Sequence, residues 1–442
     1  MRQLSVSPNG RYLVYDDGAP FFYLGDTAWE LFHRTTRQEA ELYLSNRAAK
    51  GFTVVQAVVL AEIDGIDVPN AYGHLPLNDQ DPARPNEAYF EHVDWVVQRA
   101  NTLGIYVALL PTWGKYVQPD AWDAAQIIFT PANAQSYGEF LGRRYANAGV
   151  IWMLGGDRQP TGVEDIWRAM AAGIKAGGGA QLMTYHPYGR HSSSCWLHNE
   201  PWLDMNTLQS GHDRRANENY AMVSHDYALS PIKPCLDSEP RYEDHPINWL
   251  PGNGWFDDLE VRQAAYWALF AGACGHTYGC HDIWQFWTPQ RQAISAARTD
   301  WRTALDLPGA FDMRHAKALL LSRPYADRIP DQSFLIDPGE GTNHVQATRD
   351  GTPDQADASY IMAYLPMLRG IEVDTRVIAA ERLCAWWYDP REGVALPLGE
   401  SINTGRLALR PPGSGPDWVL VVDDVSRGYP PPGSSPWKEY AR

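Results

Sequence analysis

Two short stretches carry carboxylates in a setting where carboxylates do chemistry: Val150 to Asp157, VIWMLGGD, and Lys233 to Pro240, KPCLDSEP. Each is an apolar run ending in an acid, the pattern of a buried parallel strand that delivers a side chain to the rim of a barrel. Asp157 and Glu239 are therefore the candidate catalytic pair. Two carboxyls converging from different strands are the minimum for cleaving a glycosidic bond, because one must hold a proton for the leaving oxygen while the other meets the developing oxocarbenium charge. Each acid also has a plainer reading. Asp157 could cap a helix or pair with Arg158, and Glu239 could pair with Arg241, which would keep it ionised. A carboxyl that follows an apolar strand can have its pKa raised and act as acid, whereas one beside a cation stays charged and can attack. Gly155-Gly156 would let a loop or substrate approach the backbone closely, where an ordinary strand-ending turn needs only one glycine.

The elements that must position this pair alternate along the chain. Phe21 to Asp26 (FFYLGD) reads as the first strand, and Thr35 to Lys50 as a helix started by Thr36 with Glu39 three residues on. Thr53 to Leu60 (TVVQAVVL) is a buried strand, and after a loop rich in Asp, Pro and Asn the helix Tyr89 to Leu103 closes at Gly104. Strands then follow at Tyr106 to Trp113, Val150 to Asp157, Leu182 to His186, Leu203 to Gln209, Lys233 to Glu239 and His276 to Cys280. Helices separate them at Ala132 to Asn147, Glu164 to Ala176, Tyr220 to Leu229 and Leu259 to Gly272, and Phe311 to Leu321 closes the series. This alternation predicts a (β/α)8 TIM barrel over residues 23–323. A doubly wound sheet is disfavoured because GDTAW, after the first strand, is no glycine-rich nucleotide turn. Turns at Asn9-Gly10 and Asp17-Gly18 predict a β-hairpin cap over residues 1–22. Beyond Arg323-Pro324, short β-rich runs separated by Gly, Pro and Asp turns predict an antiparallel β-sandwich over 324–442, with the tail YPPPGSSPW extended across the surface. Trp386-Trp387 in that region could form a sugar platform, although adjacent residues of a strand face opposite ways and at least one should be buried.

Composition bounds what the chain can engage. The 442 residues, 44% of them hydrophobic, can bury a large core and suggest two domains. A formal net charge of −16 argues against nucleic acid and anionic membrane surfaces as partners. No run spans a membrane, and the N-terminus has no signal-like apolar region. The chain as written therefore reads as soluble and cytoplasmic, or as secreted or periplasmic if a leader was removed. Oligomeric state is not legible. The five cysteines lack metal-like spacing, and their odd number suits reduced thiols. Among 18 Trp and 23 Tyr, most belong to the interior, while tryptophans beside polar loops suit stacking on sugars. Position at predicted strand ends nominates Asp26, Trp29, Trp113, Lys115, His186, Gln209, His212, His281, Asp282 and Trp284 as substrate-binding, with Arg241 packed beneath Glu239. His186, His212, His276 and His281 have no zincin spacing, so neither a metal nor another cofactor is expected.

The motifs GDTAWELF, NAYGHLPL, VALLPTWGKY, VIWMLGGD, TYHPYGR, LDSEPRYE and GHTYGCHDIWQF together resemble the apiosidase-like glycoside hydrolases over nearly all of residues 1–322. The C-terminal part more weakly resembles the small sandwich, named for collagen binding, that follows such barrels. The resemblance implies a retaining enzyme in which the Asp of GGD, here Asp157, is acid/base and the Glu of SEP, here Glu239, is nucleophile. It also implies that strands four and seven carry them. In the wider clan of retaining barrel glycosidases a Glu is usual on strand four and an Asn precedes it, where this chain has Asp157 and Gly156. A shorter acid implies a leaving oxygen held closer or a differently placed sugar. The expectation is double-displacement hydrolysis of β-linked apiofuranosyl or related residues of plant glycans or glycosides. The alternatives are the same mechanism on another sugar, or a carbohydrate-binding barrel without catalysis. Retention predicts the two carboxyls about 5 to 5.5 Å apart, and a gap beyond roughly 6.5 Å would mean inversion.

Overall fold

The computed structural model describes residues 1–119 and 126–434. Eight parallel strands form the barrel: Tyr23–Thr27, Val54–Leu60, Tyr106–Thr112, Val150–Gly155, Met183–His186, Asn206–Gln209, Cys235–Asp237 and Gly275–Tyr278. Their residues are buried throughout, as expected of strands covered on one face by helices and on the other by the barrel interior. The eighth strand pairs with the first, and the ladder continues to the fifth. The sixth and seventh pair with each other. Sparse bonds close the two seams. Asp204 N donates to Met183 O at 2.8 Å and Thr184 Oγ1 to Met205 O at 2.8 Å, while Cys274 N donates to Cys235 O at 2.9 Å.

The outer helices have causes visible in the sequence. Arg37–Ala49 begins with a capping box in which the Thr36 hydroxyl accepts from Glu39 N and the Glu39 carboxylate returns to Thr36 N at 2.9 Å. The helices on either side of strand four, Pro131–Arg144 and Glu164–Ala176, approach backbone to backbone at Gly138, Gly142 and Gly173, where any Cβ would meet a facing carbonyl within 2.4 Å. Between strands five and six there is only the two-residue strand His191–Ser192 and the short helix Ser194–Leu197. The N-terminal residues form a three-stranded antiparallel sheet, Leu4–Val6, Leu13–Tyr15 and Pro20–Phe21. Phe21 packs edge-on against Tyr106, at the start of strand three, so this cap covers the face opposite the catalytic ends.

Beyond the barrel, a six-stranded antiparallel sheet faces a two-stranded ribbon, Ile371–Asp374 with Arg406–Leu409, across an apolar core. The sheet's other face shares the barrel's core through Tyr360, Met362, Tyr364 and Val419, and the Tyr364 ring stacks on Tyr266 at 4.7 Å. Two buried arginines cross this junction. Arg262 forks onto Asp417 at 3.0 and 3.1 Å and Arg323 onto Asp423 at 2.8 and 2.7 Å. Trp386 and Trp387 do not form a fully exposed platform. Trp387 is buried in the sandwich core and Trp386 packs half-buried against the shared core, as the alternation of a strand requires. The end of the proline-rich tail, from residue 435, lies outside the described residues. All five cysteines are free thiols. No helix among the described residues is long and apolar enough to cross a membrane.

Candidate active site

Strand four ends in a turn that the GGD sequence makes possible. Gly155, Gly156 and Asp157 have φ of 90°, 114° and 55°, three successive residues in a region that disfavours side chains. A Cβ on Gly155 would meet the His186 carbonyl at 2.3 Å, and one on Gly156 would meet the Trp113 ring at 2.8 Å. Both glycines are thus required, the first by strand five and the second by the loop after strand three. The turn aims Asp157 into the cluster instead of at a helix, since Val163 occupies the N-cap of Glu164–Ala176. Arg158 donates to the Asp157 backbone carbonyl at 2.9 Å.

Glu239 follows strand seven and is 5% exposed. Gln56, the lone polar residue of strand two, reaches across the barrel and donates to the adjoining Ser238 carbonyl at 3.0 Å. Gly211 N donates to the Glu239 carbonyl at 3.0 Å. The carboxylate itself is held by histidines: His212 Nε2 is 3.0 Å from Oε1 and His186 Nε2 is 2.9 Å from Oε2. His186 Nδ1 faces the Pro187 carbonyl at 2.8 Å, so both ring nitrogens face acceptors and the imidazolium satisfies them together. Burial opposes that charge, but Glu239 and then Asp157 raise the His186 pKa.

The environments divide the two acids. Burial, followed by the negative charge of Glu239, pushes the Asp157 carboxyl up to about 7. Burial works the same way on Glu239, yet the contacts from His186 and His212 outweigh it and hold that carboxyl well below the usual range. Asp157, His186 and Glu239 each place a polar atom within 4.8 Å of the others, so the nearest carboxylate oxygens lie inside the expected separation of about 5 to 5.5 Å. These three are also the one such group among the described residues that could hold a metal ion. His276 stands apart, buried on strand eight with both ring nitrogens unpartnered.

Of the residues nominated by position, several converge on the pair. Trp29 and Trp113 pack on each other at 5.3 Å and on His186 at 5.2 and 6.0 Å, forming one aromatic wall. Lys115 is half-buried in the same loop, its ammonium 5.3 Å from the Tyr116 ring centroid, and Gln209 is buried at the end of strand six. Others turn away. Asp26 faces the helix Arg37–Ala49, where Arg47 Nε and Tyr43 OH both reach its Oδ2 at 2.6 Å, so it is an interior ion pair and not a sugar contact. Arg241 does not touch Glu239. Its guanidinium runs beneath strand seven to Gln263 at 3.0 Å and to the Arg215 carbonyl, because a fully extended arginine reaches past its neighbour to the helix behind. His281, Asp282 and Trp284 form an anchor under the loop after strand eight. His281 Nε2 faces the Ile294 and Ser295 carbonyls, Asp282 Oδ1 accepts from Arg298 N and Thr299 N, and the Trp284 indole donates to His281.

Two further residues belong here that position alone did not pick out. Tyr242, three residues after Glu239, packs against His212 at 4.3 Å, and burial and then the Glu239 charge raise its phenol well above the usual value. Glu62, just after strand two, is a third acid near the pair; burial and then Asp157 raise its carboxyl well above the usual range. An acid directly following a buried strand was a readable cue, hidden only because its loop is long. A cleft of about 520 Å³ opens nearby, between the loops after strands two and eight, but it is lined by residues such as Arg34, Ile63, Arg291 and Ile294 and not by the carboxyl pair.

A parallel barrel with two acids of opposed pKa at the ends of strands four and seven, backed by an aromatic wall, is an arrangement suited to glycoside hydrolysis. Comparison with known proteins agrees. Residues 7–327 match the family described as "Apiosidase-like, catalytic domain", and the chain belongs to that family. Residues 329–423 match "Putative collagen-binding domain of a collagenase". A solved structure described as a glycoside hydrolase is 34% identical, with 96% of this chain and 97% of that one covered and a TM-score of 0.88. A glycoside hydrolase family 5 structure from Bacteroides vulgatus is 32% identical over 98% of this chain and 96% of its own, with a TM-score of 0.90. No curated protein matches the sequence.

Proposed function

We propose that this glycoside hydrolase is a retaining enzyme that releases β-linked apiofuranosyl or closely related residues from plant glycans or glycosides. The observation that carries this reading is the carboxyl pair: two oxygens within 4.8 Å, one acid raised and the other depressed. That spacing falls on the short side of the separations that distinguish the two mechanisms, which favours direct attack over inversion. Glu239, held ionised by two histidines, attacks the anomeric carbon. Asp157, protonated below about pH 7, gives its proton to the leaving oxygen. The C–O bond to the leaving group breaks as the glycosyl ester to Glu239 forms. Asp157, now a carboxylate, takes a proton from the water that displaces the ester, which restores both groups. The choice of sugar rests on family membership.

The test is a screen of aryl glycosides and apiose-bearing plant glycosides with the purified protein, with the first-formed anomer read by NMR. The expected outcome is release of apiose as the β-anomer. Initial release of the α-anomer would mean inversion, and hydrolysis of another sugar with none of apiosides would move the specificity elsewhere in the clan.

A further inference from the structure

Of the tryptophans among the described residues, only Trp249 is exposed, at 47%. A single exposed apolar residue is ordinary on a protein surface, but Trp249 differs in how it is held. It follows Asn248, and the two have φ of 54° and 62°, so a bulky aromatic residue is kept in the left-handed region, a strain that surrounding contacts must enforce. Those contacts are specific. Asn248 N donates to the His212 carbonyl at 2.8 Å, Trp249 N to the Pro246 carbonyl at 2.9 Å, and Ser295 Oγ to the Trp249 carbonyl at 2.8 Å. The indole rests edge-on over His245 at 4.5 Å and lies 6.0 Å from His212, the residue that holds Glu239. The loop is thus tied on one side to the nucleophile's partner and on the other to the loop after strand eight. The rings nearest the reacting atoms, Trp29 and Trp113, are by contrast fully buried.

We propose that Trp249 is a stacking platform for a second sugar ring, joined to the one that is cleaved, and so selects oligosaccharide or diglycoside substrates over simple monoglycosides. This rests on the glycosidase reading above. The C–H face of a sugar ring packs on an indole because both surfaces are apolar, and a ring already fixed in place loses little entropy on binding. Exposed, and 6.0 Å from the His212 ring that holds Glu239, Trp249 stands at the outer edge of the cluster, where a ring next to the reacting one can lie.

The experiment uses the full-length Glu239→Gln protein, which cannot turn over, titrated calorimetrically with methyl β-apiofuranoside and with a β-apiofuranosyl-glucoside. The disaccharide should bind at least tenfold tighter than the monoglycoside. Adding Trp249→Ala should abolish that advantage, and adding Trp249→Tyr should retain most of it. The idea is overturned if the parent shows no preference for the disaccharide, if the preference survives Trp249→Ala, or if both ligands weaken equally. Should the glycoside screen select another sugar, the apiose assignment falls, and the same two probes built on that sugar decide the platform separately.

Discussion

Asp157 and Glu239 lie in one cluster and carry the same functional group, yet one carboxyl is pushed up to about 7 and the other is held well below the usual range, the basis of the roles proposed for them. Depth alone does not separate them, since burial pushes both carboxyls upward. The number of donors does. Glu239 has a histidine nitrogen close to each oxygen, a hydrogen bond from His212 at Oε1 and an ion-pair contact with His186 at Oε2, whereas no such contact reaches Asp157 Oδ1 among the described residues. The difference traces to the two strand ends. Strand four ends in left-handed glycines that turn Asp157 into the cluster, while Glu239, after strand seven, meets His186 from the end of strand five and His212 from the loop after strand six. Equal groups therefore acquire unequal pKa values through the neighbours that each turn admits.

The sharpest break in this comparison is Glu239→Ala, which should lower turnover on every substrate by about 10⁴-fold or more, since no glycosyl ester can form. Azide should restore part of the activity with inverted configuration, read by NMR of the glycosyl azide. Near wild-type activity on a confirmed substrate would remove Glu239 from the mechanism. Asp157→Ala should cost about 10² to 10⁴-fold on glycosides with poor leaving groups and much less on activated aryl glycosides. Here azide should rescue with retained configuration, because it needs no general base, and equal losses on both substrate types would count against the acid role.

His212→Phe tests the donors. The wild-type profile of kcat/KM should fall on the alkaline side near pH 7, where Asp157 loses its proton, and on the acid side only well below pH 4.5, where Glu239 gains one. Without His212 the acid limb should rise by about one to two pH units, and the alkaline limb should move upward by less, since His212 is the smallest of the charges that lower the Asp157 carboxyl. An unmoved acid limb would mean that His186 alone holds Glu239 ionised.

A smaller effect concerns stability. The folded pKa of Asp157 is raised above its unfolded value, so the folded state binds the proton more tightly and stability is lost as pH climbs from about 4 to about 7. Asp157→Asn removes that loss and should stabilise the protein at pH 8 by about 1 kcal/mol, with no gain at pH 3. Chemical denaturation at the two pH values checks it, and equal effects at both would contradict the raised pKa. Smallest of all, EDTA should leave kcat/KM within about twofold, because the proposed acid and nucleophile need no metal for double displacement. A larger loss, reversed by a divalent ion, would make Asp157, His186 and Glu239 a metal site instead.

Much of this was legible in the amino-acid order. Alternating buried strands and capped helices announce the barrel, because hydrophobic period and capping chemistry are local properties. The two acids are legible for the same reason, each closing an apolar run, and so are the paired glycines, although their separate duties toward His186 and Trp113 are not. What the tertiary structure alone decided is partnership. Arg241 is two residues from Glu239 and is the obvious cation, yet the carboxylate is held by His212, 27 positions earlier, and by His186 from a different strand. Asp26 ends a strand as Asp157 nearly does, yet it turns to Arg47. Trp249 sits on a long loop without periodicity, so nothing local marks which way it faces. Side-chain partners are set by distances across the closed barrel, and that closure joins residues whose spacing along the chain carries no trace of it.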